Sequence, residues 1–303
     1  MIGVPGKARL RHPGLWLAVL LLALSGCGGG SPSDPRASHE TDGVTTPEHA
    51  ADEPDHPANT QPELIDEPDA GIVEIRLLAV LTNSTRALYG NPELRVEHLV
   101  NVANDVMAQS GLDLEFDLAV IKSVDYPDAY DTATALHHLT FADAPELQSV
   151  PDWREAYRAD LVVLLRPYVN DGYCGYAWLG GYGSDGDFSH PLEADYGYSV
   201  VALDCSDYTL VHELGHNLGL AHSRREDPEG GSFHFGAGHG VDNDFVTVMA
   251  TPGAFNAVRL PLFSSPALIC NDQPCGVDAE HLTEGADAVE AIRQVKSQVA
   301  DYR

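Results

Sequence analysis

Basic residues are scarce in this chain: 17 lysines and arginines stand against 46 aspartates and glutamates, a formal net charge of −29 over 303 residues. Such a surface repels phosphate backbones, which excludes nucleic acid as a partner and leaves solubility as the plain inference. No apolar run approaches the roughly 20 residues that a transmembrane helix needs; the longest, "LWLAVLLLAL", is too short to span a bilayer comfortably. No cysteine pair has the two-residue separation usual for zinc ligation, and no internal repeat is apparent. The glycines 181, 183 and 186 keep G-x-G-x-x-G spacing but no helix opens directly after them, so a dinucleotide-binding reading fails on its own context. What is present is 44% hydrophobic content, ample for a core, and enough length for one large domain with extensions or for two small ones.

The extension lies at the N-terminus. Lys7, Arg9 and Arg11 precede the apolar run, the layout of a secretory signal. Leu24, Ser25, Gly26 and Cys27 resemble the lipobox of bacterial lipoproteins, which implies that Cys27 is lipidated and becomes the first residue of the mature chain; the alternative is an ordinary signal peptide with a chance cysteine. Gly28 stands where an aspartate would resemble an inner-membrane retention signal, so an anchor in the outer membrane or at the cell surface, or release from it, is expected. From 28 to about 70 the chain is acidic and proline-rich with Arg36 as its only basic residue. It cannot bury enough apolar surface to offset its conformational entropy and reads as an extended tether, in which His39, His49 and His56 are solvated spacer residues. The tether holds no cysteine-containing inhibitory motif and looks too polar to fold as an inhibitory domain. The expected organisation is a lipoprotein signal peptide at 1–26, a disordered tether at 27–70 and one folded domain at 71–303, monomeric.

Four cysteines remain in the folded part, an even number in an exported chain, so two disulfides are expected. Of the three connectivities we favour Cys174 with Cys205 and Cys270 with Cys275; reduced thiols are the alternative. Residues 72–82, "IVEIRLLAVLT", read as a buried strand. A helix follows Pro92, in which Leu94, His98, Leu99, Val102 and Val106 keep helical spacing and Gly111 marks the stop. "DLEFDLAVI" predicts a second strand, "ATALHHLT" and "DWREAYR" short helices, and "ADLVVLLRP" a buried strand ended by proline. "CGYAWLGG" and "YSVVALDC" predict strands around the glycine-rich loop, and Ala288, Ile292, Val295 and Val299 mark a closing amphipathic helix.

The chemistry sits in "VHELGHNLGLAHS", residues 211–223. On a helix His212 and His216 project from one face on successive turns, close enough for both imidazoles to bind one ion at about 2.0–2.1 Å. Glu213 lies beside them and can accept a proton from water at the metal. His222 would lie roughly 9 Å further along a continuing helix, so the helix must break, and Gly219 can supply the positive φ that turns the chain back. Three neutral histidines leave one position of the ion open, the coordination of a catalytic zinc rather than a structural one.

His212, Glu213, His216, Gly219 and His222 together match H-E-x-x-H-x-x-G-x-x-H, and on them the chain resembles the metzincin zinc metalloproteases, in particular bacterial reprolysin-like and adamalysin-like (M12B-type) members. The resemblance implies an α/β (α+β) zincin domain with a twisted mixed sheet, long helices and an active-site helix carrying HExxH. It implies one catalytic Zn2+ on His212, His216 and His222, Glu213 as catalytic base, and Met249 of "TVMATPG" as the Met-turn beneath the metal. It further implies that Tyr176, Ala177, Trp178, Leu179 and Gly180 form an edge strand against which a peptide substrate is laid by main-chain pairing. "LPLFSSPALICNDQPCG" also resembles the segment that follows the Met-turn in bacterial reprolysin-like enzymes. Two departures weaken assignment to a subfamily: Ser223 follows the third histidine where adamalysins usually carry aspartate, and no tyrosine follows Met249 closely.

The expected function is that of an exported, lipid-anchored zinc endopeptidase acting on protein or peptide substrates. Its rivals are a zinc hydrolase of another amide, such as a cell-wall peptide, and a non-catalytic binding lipoprotein with structural zinc. His234 and His239 are expected to be ordinary loop histidines, and the acidic runs at 185–187 and 242–244 solvated turns. Those runs lack the ligand register of a known calcium loop, so calcium is possible but unsupported.

Overall fold

The structure, a computed structural model, describes the backbone of residues 21–25 and the whole of residues 71–303. The charged start of the expected signal, Cys27 and the tether lie outside the described residues.

Strand β2 (Val73–Thr82) is central, and its sequence shows why. From Leu77 onward every residue is buried, with Ile75, Leu77, Ala79 and Leu81 facing one apolar cluster and Leu78 and Val80 facing another. A strand with period-two side chains and both faces covered reads as a continuous apolar run, the signature of a parallel strand between helical layers. Strands β3 (Leu114–Val124) and β4 (Leu161–Arg166) flank β2 in parallel, β6 (Tyr198–Ala202) pairs parallel to β4, and β5 (Tyr173–Trp178) closes the edge antiparallel to β6. The order across this five-stranded mixed sheet is β5-β6-β4-β2-β3. A short strand, β1 (Leu21–Ser25), adds antiparallel to the outer side of β5, with Leu22 opposite Ala177 and Ala23 opposite Tyr176.

Helix α1 (Pro92–Gln109) covers one face together with the later helices α4 (Thr209–Asn217) and α6 (Ala288–Ala300). It starts with proline at its first turn and ends before Gly111, which takes φ 69°. Its buried stripe is Val96, Leu99, Val100, Ala103, Val106 and Met107. Leu94 and His98, expected to share that stripe, point outward: Leu94 is exposed, and His98 lies 3.2 Å from the Asp207 carboxylate. The sequence contained two overlapping i, i+3, i+4 patterns, and the alanine at 103 marks the one that sits close to the sheet. Helices α2 (Thr132–Phe141) and α3 (Val150–Tyr157) cover the opposite face, where Leu136, Leu139 and Val150 meet Val162, Leu164 and Val200.

Helix α4 (Thr209–Asn217) leaves the C-terminal end of β6 and is buried along its whole length. The Cys174–Cys205 disulfide ties β5 to the turn that leads into α4. Beyond α4 regular structure nearly stops: β7 (Phe245–Val246), a single helical turn α5 (Pro252–Phe255), β8 (Val258–Arg259) paired with β7, and a hairpin of β9 (Ile269–Cys270) and β10 (Gln273–Pro274) closed by Cys270–Cys275. Helix α6 (Ala288–Ala300) returns to the first face, with Ala288, Ile292, Val295 and Val299 all buried as the spacing predicts. Both favoured disulfide pairings are formed. Among the described residues no helix is long and apolar enough to cross a membrane.

Candidate metal centre and active site

Helix α4 presents His212 and His216 one turn apart, and the chain then breaks where the spacing demands. Gly219 takes φ 85°, and a Cβ there would lie 2.8 Å from the Ser232 Cβ and 2.9 Å from the Phe188 ring. The reversed chain runs as an extended bridge, Ala221 against Ala237, and delivers His222 back to the helix. The metal-binding nitrogens of His212, His216 and His222 lie within 4.8 Å of one another, and all three residues are buried.

The orientation of two of these rings is fixed from behind. His212 Nδ1 donates to the Val248 carbonyl at 2.9 Å, and His216 Nδ1 donates to the Leu220 carbonyl at 2.7 Å. Each bond sets the tautomer, leaving Nε2 unprotonated and turned inward. His216 Nε2 is buried with no partner, and His212 Nε2 faces His222 Nε2 at 3.2 Å. Burial holds all three imidazoles below the usual histidine range, and their mutual proximity adds to this for His212 and His216. Three neutral, inward-facing nitrogens form a donor set that fits zinc.

Glu213 projects towards β5. Both its carboxylate oxygens are buried without a partner, and burial pushes its pKa well above the usual carboxylate range, opposed in part by the Arg259 charge. The carboxylate passes so close to Gly175 that a Cβ at that position would lie 2.3 Å from Glu213 Oε1. Met249 lies beneath the helix in the same way: a Cβ on Gly215 would meet its sulfur at 2.6 Å. Gly175 and Gly215 therefore set how near the edge strand and the methionine approach the two histidines.

The edge strand is locked to the metal helix at one end. Asn217 Nδ2 donates to the carbonyls of Trp178 and Tyr198, and the Gly180 amide donates to the His216 carbonyl. Trp178 sends its indole inward, with Nε1 donating to Thr140 Oγ1 at 2.8 Å, while Leu179 and Gly180 lie past the last paired residue. Only Tyr176 of the five expected docking residues is half-exposed; what this strand can offer a ligand is backbone. Its outer edge already carries β1 in antiparallel register.

Several contributors carried no periodic signal. Ser223 donates to Glu226 Oε2 at 2.6 Å, and the same oxygen accepts the Thr251 amide at 3.2 Å, which links the third histidine to the turn after Met249. Arg259 places its charge near His212, His222 and Glu213. A charged residue inside the apolar stretch "NAVRLPLF" was the one signal available. The other loop features have local partners: His234 Nε2 donates to the Ala279 carbonyl, Asp242 pairs with Arg225, and Asp244 accepts from Asn271 and Gln273. His239 is half-buried with its ring centroid 6.0 Å from that of Phe245. Gly181, Gly183 and Gly186 all take positive φ in consecutive turns, and no helix follows them.

The profile of metallo-peptidase family M12 matches residues 73–259, which includes both the sheet and the histidine cluster. Among curated proteins the chain is similar to the peptidyl-Asp metalloendopeptidase of Pseudomonas aeruginosa, 33% identical over 70% of this chain and 37% of that one. It is also similar to the peptidyl-Asp metalloendopeptidases of Xanthomonas campestris pv. campestris, 28% identical over 76% of this chain and 52% of that one, and of Stenotrophomonas maltophilia, 27% identical with the same coverage. The chain thus spans between 37% and 52% of the length of these relatives. Among solved structures, a chain of the "Structure of a chaperone-substrate complex" shares the fold with a TM-score of 0.57 at 23% identity, covering 76% of this chain and 35% of that one.

Proposed function

Since this chain belongs to metallo-peptidase family M12, we propose that it is an exported zinc-dependent endopeptidase that hydrolyses peptide bonds with Glu213 as general base. The observation that carries the reading is a buried carboxylate with no partner beside three imidazoles whose free nitrogens converge. His212, His216 and His222 would hold the metal, and zinc supplies a Lewis acid that acidifies water and polarises a peptide carbonyl.

The remaining work falls to the chain. The backbone of Tyr173–Trp178 binds the substrate as an added strand, a reading supported by the antiparallel pairing of the same edge with Leu21–Ser25. Glu213, reaching over Gly175, takes a proton from the attacking water and passes it to the leaving amine. Met249 and the Val248 carbonyl hold the helix and His212 in place from below. The names of the curated relatives support a substrate cut at aspartyl residues.

Residues 1–26 act as a lipoprotein signal, Cys27 carries the lipid, and residues 27–70 tether the catalytic domain, 71–303, to the outer membrane or cell surface. Two disulfides in the folded part fit an oxidising compartment. Processing before Cys27 would remove β1 and free the outer edge of β5 for a peptide.

The test is zinc content and cleavage of an unfolded protein by the chain and by Glu213→Gln. About one zinc per chain is expected in both, with turnover reduced by roughly 10³-fold or more in the variant. Absence of zinc in the parent, or cleavage by Glu213→Gln at a rate near that of the parent, would overturn the reading.

A further inference from the structure

Arg259 is a cation placed at the metal site with donors to spare. It lies on β8 opposite Val246 of β7, and the same two-stranded run continues as the Val248 amide donates to the Leu262 carbonyl. Val248 in turn accepts the bond that orients His212. The guanidinium gives Nη2 to the Ala250 carbonyl at 3.2 Å, while Nε is shut off from solvent and bonds to nothing. Among the described residues no carboxylate lies within 4.0 Å of it.

An arginine has five N–H donors in a rigid fork, and leaving them unfilled out of water costs on the order of 1–3 kcal/mol per group. Neighbouring arginines are better filled, although Arg224 Nη2 is likewise buried without a partner. Arg225 grips both oxygens of Asp242 and stacks 4.0 Å over Phe255, and Arg224 donates to the carbonyls of Gly285 and Pro228. Glu226, the acidic residue whose charge acts most on Arg259, has one oxygen engaged by Ser223 and Thr251. Arg259 is therefore a half-buried fork that no carboxylate among the described residues fills, and its natural complement is a planar carboxylate.

We propose that Arg259 selects the substrate by taking a carboxylate side chain of the residue beside the cleaved bond, with its fork bonding the two oxygens. This assignment rests on the peptidase reading above and adds to it the residue that would produce a preference for acidic peptides. A carboxylate seated there gives Nε the acceptor it lacks and neutralises a charge that otherwise acts on His212 and His222. An isosteric amide offers one acceptor and one misplaced donor, so it should be rejected although it has the same shape.

The experiment compares two peptides that differ only in Asp against Asn at the residue flanking the cut, using the full zinc-loaded chain. Parent protein should cleave the Asp peptide about a hundredfold better in kcat/KM. Arg259→Gln should bring the ratio to within a few-fold while zinc content stays near that of the parent. Arg259→Lys, which keeps the charge without the fork, should recover part of the preference, and Arg225→Gln should leave it intact. Binding of the two peptides to Glu213→Gln by calorimetry reads the same preference without turnover.

A preference that survives both Arg259 substitutions, or one lost only in Arg225→Gln, would overturn the assignment. Equal handling of the two peptides by an active parent would do so too, with the peptidase reading left standing. Preferential binding of the Asp peptide without cleavage by the parent would remove the peptidase reading and leave the carboxylate site in place.

Discussion

Residues 73–217 and residues 218–287 divide the site between two styles of construction. The first region is layered: five strands alternate their side chains into two apolar clusters, and helices cover both faces. The second has two paired dipeptides, one turn of helix and a four-residue-wide hairpin, yet it is buried where it meets the metal helix. Its shape is held by side chains bonding to backbone. Ser264 Oγ donates to the Ala237 carbonyl and accepts the Ala288 amide, Thr247 Oγ1 bonds both the amide and the carbonyl of His239, and Ser232 Oγ accepts the Gly186 amide. The layered region contributes Glu213, His212, His216 and the edge strand β5; the irregular one contributes His222, Met249 and Arg259. A single apolar period suffices for rigid layers, whereas a loop that must aim individual groups at one point needs a separate bond for each.

The sharpest way to break this contrast is to remove one ligand from the irregular side. His222→Ala should lower zinc affinity by about a thousandfold, since roughly a third of a binding energy on the order of 10–16 kcal/mol is lost, with the circular dichroism of the sheet and helices unchanged. Collapse of the secondary structure would show that the two regions fold as one unit. The disulfides give a smaller, graded comparison. Cys174–Cys205 closes a 31-residue separation and Cys270–Cys275 one of 5. Loop entropy then assigns about 4 kcal/mol to the first and about 2 kcal/mol to the second. Urea midpoints of the paired serine variants should fall in that order, and the reverse order would place the stability of the domain in its irregular half.

The smallest effect separates burial from metal binding in the layered half. In the zinc-free chain burial keeps His216 neutral, its pKa well below the usual value. The unfolded chain then binds a proton that the folded chain does not, so this contribution is fully present above pH ~6.5 and is lost as the pH falls below it. His216→Gln should flatten the dependence of unfolding free energy on pH between 5 and 6.5 by at most about 1.4 kcal/mol per unit, measured by urea denaturation in chelator. An unchanged slope would mean that the ring titrates freely in the folded state.

What the sequence by itself determined is local and periodic. The alternation in "IVEIRLLAVLT" required a strand covered on both faces, the i, i+4 spacing of His212 and His216 put two imidazoles on one helix face, and the six-residue gap with a glycine inside it required the break before His222. These follow from fixed rise and twist per residue, so a single chain segment is enough to read them. Which of two overlapping patterns α1 buries, how closely Gly175 lets Glu213 approach β5, and that Arg259 is left without an acid were decided only in three dimensions. Each depends on what another segment brings to within a few ångströms: α1 against β3, β5 against α4, Arg259 of β8 against the Ala250 carbonyl. Contact between residues far apart in the chain leaves no spacing to recognise, and the unfilled donor of Arg259 becomes visible only when every possible acceptor around it has a position.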